Sequence, residues 1–241
     1  MFVSVKYLHD DMGVDEKIAR FFVDRKIPQD NIFWKKKLLY IGRGNGFISI
    51  PVYYDLLFRV GVPREALLSE VHIQFMERVM HYAMMVEHKE ITFEEQLSEI
   101  QKILRRRIRN KKFYEALLEY LQQPVLKPMS YLGMPIPSLN RADVFLFILC
   151  DLPIDDQQIE MAVKLWYALH TSYLLMDDMC DYQADKDDNE ENSVIELGDG
   201  EQGFDKAFEL LKENANTIHG INPVLSAFFE ESMARLYDLI P

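Results

Sequence analysis

Cysteine is almost missing from this 241-residue chain, and the only two, Cys150 and Cys180, are too few for a disulfide framework. Cys180 also lies among aspartates, a poor setting for a structural bridge, so a reducing compartment is expected. Long apolar runs are missing too. The longest, Val144 to Cys150, falls far below the roughly 20 residues that a membrane span requires. Met1 to Lys6 carries neither the apolar core nor the small-residue cleavage site of a secretion signal. The protein is therefore expected to be soluble and cytoplasmic, and not an integral membrane protein. Convincing strand alternation and internal repeats are also lacking, which excludes a sheet-based architecture and a solenoid.

What is present is helical periodicity. At 49% hydrophobic the chain can bury a sizeable core, and it reads as one all-α domain over residues 1–241. Helices are expected over 14–25 and 30–41, from Pro51 to about Val60, and from Pro63 to about His88, each proline suiting a first turn. Gly42 to Gly46 lacks the ending of a nucleotide loop and reads as a flexible connection. Glu70, His72, Glu77, His81, Glu87 and His88 miss the Glu-x-x-His spacing of a di-iron site and read as ordinary side chains. Thr92 and Glu95 form a capping box opening a helix to about Ile108. Four prolines make 124–138 an extended connection, a helix is expected over 139–150, and a long helix starts near Asp155. Two more helices, over 203–217 and 222–238, close the chain.

Charge is unevenly spread. The net charge is −12, and residues 177–205 hold twelve acidic residues against the single Lys186, which excludes nucleic acid as a partner and favours cations or a cation-bridged anion. The bland alternative is a solvated acidic loop. Within this stretch Asp177, Asp178 and Asp181 stand at i, i+1 and i+4 at the end of an apolar helical run. Their oxygens are expected to converge where the helix dipole disfavours negative charge. Such a point suits Mg2+, a hard cation held by carboxylates together with substrate phosphates.

The segment Leu169 to Asp181 resembles the first aspartate-rich region of the trans-isoprenyl diphosphate synthases, within the isoprenoid synthase and terpene synthase superfamily. His170-Thr171 precedes Asp177-Asp178 at that family's spacing. Asn192-Ser193 and Gly198 resemble the small and amide residues that the family carries after its aspartates, and Gly203 to Leu211 resembles its next helix. The resemblance implies an all-helical fold around an apolar pocket, with Mg2+ on Asp177, Asp178 and Asp181. It implies an isoprenyl diphosphate as ligand, with prenyl transfer or terpene cyclisation as the reaction, and leaves room for a homodimer. Lys186-Asp187-Asp188 stands where the family has Arg-Arg-Gly, and no second aspartate motif comes after Asp181. The motif therefore fits either of the family's two aspartate positions. A noncatalytic relative that binds a partner or lipid is the alternative.

Three further expectations attach to these residues. Arg105, Arg106 and Arg109, in the one basic concentration, either complement a helix dipole or supply the missing diphosphate grip. Tyr173, four residues before Asp177, is either a floor limiting the isoprenoid tail or a core aromatic. His170 is expected to be packed rather than catalytic.

Overall fold

A computed structural model describes residues 3–26, 28, 31 and 45–237, and among them the secondary structure is helical with no strand. The expected helix over 30–41 and most of the glycine-rich stretch lie outside the described residues. A π-turn at Tyr7–Asp11 leads to α1 (Glu16–Asp24), whose cap Asp15 accepts from the N–H groups of Lys17 and Ile18. Helix α2 is Asn45–Arg59, and Pro51 sits inside it rather than in its first turn. Proline forfeits one backbone hydrogen bond there. Buried Val52, Tyr53, Tyr54, Leu56 and Leu57 hold the helix by packing instead.

The long helix expected after Pro63 is two. Pro63 opens the single turn α3 (Arg64–Leu67), and the Ser69 hydroxyl, accepting from the His72 N–H, starts α4 (Glu70–Glu87) afresh. Along α4 three of these side chains are paired: Glu70 and Glu77 with Arg25, and His72 with the Tyr54 hydroxyl at 3.0 Å and Asp151 at 2.8 Å. Helix α5 (Phe93–Leu104) carries the full capping box of Thr92 and Glu95. After it comes α6 (Lys111–Gln122), which is not among the helices expected from the sequence.

The connection over 124–138 contains 3-10 turns at Pro124–Leu126 and Pro137–Asn140. The helix expected over 139–150 is instead a 3-10 segment, Asp143–Asp151. Its residues from Asp143 to Cys150 are buried on every face, and outside donors claim its last carbonyls. Asn110 Nδ2 donates to Leu149 O, while the Arg109 N–H donates to Cys150 O at 2.8 Å.

Helix α7 (Asp156–Asp188), opened by a capping box of Asp155 and Gln158, has 33 residues and so extends about 50 Å. Short α8 (Ser193–Leu197), α9 (Gly200–His219) and α10 (Pro223–Tyr237) complete the fold. Helix α9 packs on α7, α8 and α10, α2 packs elsewhere along α7, and α4 packs on the 143–151 segment. Gly203 permits the close α8 to α9 approach, since a Cβ there would lie 2.2 Å from the Val194 carbonyl oxygen. The buried apolar side chains form one continuous cluster, and among the described residues no helix is long and apolar enough to cross a membrane.

Candidate ligand cavity and acidic helix end

Aspartates line the last turns of α7, yet their surroundings differ. Asp177 and Asp181, four apart and so on one face, are both exposed and make no hydrogen bond or salt bridge among the described residues. The Asp177 carboxyl is raised above its ordinary range by partial burial and then by the charges of Asp181 and Asp178, against the opposing Arg141 cation. Asp185, one turn on, accepts from Asn192 Nδ2 at 2.8 Å.

Asp178 is spoken for. Only 4% exposed, it takes Arg141 Nη2 on Oδ1 and the Ser193 N–H on Oδ2, both at 2.8 Å. Its backbone carbonyl accepts from Asn192 Nδ2 at 2.7 Å. It ties the chain before Asp143 and the start of α8 to α7, and this corrects the expectation that three carboxylates converge on one ion. Among the described residues no group of three or more His, Cys, Asp or Glu side chains is arranged to hold a metal. Asp177 and Asp181 remain as a pair, and a pair suits a magnesium ion that takes its other oxygens from water and phosphate.

Lys186 is also engaged. Its ammonium contacts both Asp199 oxygens, at 2.9 and 2.8 Å, and the Tyr182 hydroxyl at 3.0 Å. Those hydrogen bonds pull Asp199 down to about 2.

A cavity of about 430 Å³ lies between α2, α4, the 143–151 segment and α7, with Arg141, the partner of Asp178, in its lining; its size is within the ~300–1,000 Å³ range usual for small-ligand sites. Met80, Met84, Val144, Phe145 and Trp166 make it largely apolar, while Arg141, Glu87 and Ser49 add one cation, one anion and one hydroxyl. Trp166 and His170 precede Asp177 by eleven and seven residues, about three and two helical turns, which places all three on one face of α7. The rings are stacked: Phe145 on Trp166 at 5.0 Å, and Trp166 on His170 at 4.5 Å with 10° between planes. Beneath them buried Asp143 accepts from the Tyr120 and Tyr167 hydroxyls, each at 2.7 Å, and from Trp166 Nε1 at 3.3 Å, fixing the indole. Burial raises Asp143 to about 6 despite these three donors. Burial and the Arg141 charge pull His170 down to about 3, so its imidazole is neutral.

The other expected site residues lie elsewhere. Tyr173 is a buried ring set edge-on to Phe229 of α10 at 5.4 Å and is absent from the described cavity lining. Arg105 is exposed at the end of α5. Arg106 and Arg109 line a separate cavity of about 570 Å³ with His72 and Asp151. None of the three arginines lines the apolar cavity. Arg141 does, and nothing in the sequence pattern singles it out beyond its being the only Lys or Arg between Lys127 and Lys164. A wider cleft of about 1070 Å³ near α1 and α4 is lined by charged groups such as Lys17, Arg20 and Glu70, which suits an apolar ligand less well.

No protein-family model matches this chain, and no curated protein or solved structure matches it.

Proposed function

We propose that this is a divergent isoprenoid synthase-like protein that binds an isoprenyl diphosphate, its tail in the apolar cavity and its head at the acidic end of α7. The observation that carries this reading is the shared face: Trp166 and His170 line the cavity, and Asp177 stands two to three turns beyond them on the same side of one helix. Arg141 joins the two parts. It borders the cavity, its Nη2 and Nε are taken by Asp178 and the Ser138 carbonyl, and its Nη1 has no partner among the described residues. That free donor suits an anionic oxygen. Asp177 and Asp181 would hold Mg2+, which supplies Lewis-acid stabilisation of the diphosphate. The apolar walls exclude water from the reacting carbon. The reaction that the resemblance implies is prenyl transfer or terpene cyclisation.

The engagement of Asp178 favours a second reading, in which the same ligand is bound without turnover. Incubation with magnesium and farnesyl diphosphate, alone and with isopentenyl diphosphate as prenyl acceptor, with measurement of released diphosphate, separates the two. Release that disappears in Asp177→Asn/Asp181→Asn supports the enzyme. Magnesium-dependent binding without release supports the noncatalytic relative, and the absence of both rejects the proposal.

A further inference from the structure

The cavity of about 570 Å³ that holds Arg106 and Arg109 carries more positive charge than its one acid can answer. Its lining sets Arg106, Arg107 and Arg109 against the single carboxylate of Asp151. Both oxygens of that carboxylate are taken, Oδ1 by His72 Nδ1 at 2.8 Å and Oδ2 by Arg107 Nη2. Arg107 also lies over the Phe75 ring at 5.0 Å. Arg106 and Arg109 are left over: neither guanidinium has a hydrogen bond or salt bridge among the described residues, and neither reaches a carbonyl at the end of α5. The start of α4 lines the same cavity through Ser69, Val71 and His72. Cations are unwelcome at that end of a helix, where anions are favoured. Glu70, the one acid of the turn, is drawn away to Arg25 and lines the other cleft.

We infer that this cavity binds a small soluble phosphomonoester, its phosphate held by Arg106 and Arg109 and its organic part against Ala66, Ile108 and Leu152. The charges match, since two uncompensated cations meet a phosphate of about −1.5 to −2. Guanidinium forks also match phosphate oxygens in shape. A bare phosphate would leave much of the volume unfilled, so the ligand carries an organic group. The site stands apart from the apolar cavity: His72 precedes Met80 by eight residues on α4, about 12 Å along its axis. It is therefore a second binding site, independent of the proposed isoprenoid ligand.

Phenyl phosphate and phenyl sulfate, alike in shape and differing in charge, test it by calorimetry on the full chain. Magnesium is left out, so that the acidic end of α7 takes no part. The expected result is binding of phenyl phosphate and several-fold weaker binding of phenyl sulfate. Arg106→Gln and Arg109→Gln should each weaken phenyl phosphate by about tenfold, the worth of a hydrogen bond to a charged group. Arg105→Gln removes the same charge from an exposed side chain outside the cavity lining, and should leave the affinity within about twofold, as salt screens separated surface charges. No binding of phenyl phosphate, equal binding of the two probes, or undiminished affinity in both cavity variants would overturn the inference. So would an equal loss in Arg105→Gln, which would mean diffuse surface charge. Binding to phosphatidylcholine vesicles containing phosphatidic acid, with none of phenyl phosphate, would overturn it in favour of a lipid headgroup. Each of these failures leaves the isoprenoid reading standing, since that reading is tested with magnesium and at other residues.

Discussion

Asp178 and Asp181 share a motif and differ in what their oxygens touch. Removing the Asp178 carboxylate strands the Arg141 guanidinium and the Ser193 N–H. Breaking a fully buried pair typically costs about 3–5 kcal/mol. Arg141 is 35% exposed, so solvent screening lowers the figure to about 2–3 kcal/mol for Asp178→Ala. Asp181→Ala should stay within about 0.5 kcal/mol, as surface substitutions do. Urea unfolding of both variants measures the difference, and equal losses would mean that the two aspartates are not distinguished as described.

Asp143 gives a prediction in pH. Its carboxyl titrates at about 6 in the folded protein and near 4 in an unfolded chain. Between those values the native state holds more protons than the unfolded state. Stability should therefore fall as pH rises from about 4 to about 6, by an amount on the order of 2–3 kcal/mol, and the trend should flatten above that window. Asp143→Asn removes the titrating group, so the stability difference between the two proteins should change across this window. Parallel profiles would show that Asp143 is not raised.

At the scale of elements, the junction of α8 and α9 depends on Gly203. A methyl group there would meet the Val194 carbonyl oxygen at 2.2 Å, and backbone cannot step aside as the end of a flexible side chain does. Gly203→Ala should destabilise by roughly 1–3 kcal/mol, the usual range for overpacking. Thermal unfolding checks this, and an unchanged midpoint would refute the close approach.

Elements with local chemistry were legible in the sequence. The capping boxes of Thr92 with Glu95 and Asp155 with Gln158 start helices where they stand, because the cap residue satisfies N–H groups within its own first turn. The split at Ser69 was less legible, since apolar residues continue across it and one serine hydroxyl makes the break. The 143–151 segment departs from the expected helix for a different reason: its carbonyls are claimed by Asn110 and Arg109, about forty residues earlier, which no local pattern reveals. The site divides in the same way. The common face of Asp177 and Asp181 follows from spacing, whereas the capture of Asp178 by Arg141 and the placing of Tyr173 against Phe229 are long-range contacts.

Across the whole molecule, α7 passes through the buried core and emerges as an acidic, partly exposed end. Its buried stretch supplies the ring stack of the cavity, and its end supplies Asp177 and Asp181. Under the proposed function, that continuity would make head and tail recognition parts of one site. It can be broken at the tail alone. Ala83 of α4 lines the cavity, and Ala83→Trp would fill much of it while leaving Asp177, Asp181 and Arg141 in place. The most direct measurement is the calorimetric affinity of a thio-linked farnesyl diphosphate analogue, with magnesium, for the unaltered chain and for Ala83→Trp, with helicity monitored by circular dichroism. The account expects at least about tenfold weaker binding in the variant at unchanged helicity, since burying an isoprenoid tail contributes about 0.8 kcal/mol per CH2. Equal affinity in the two proteins would contradict it, because the diphosphate would then be held with its tail outside the cavity.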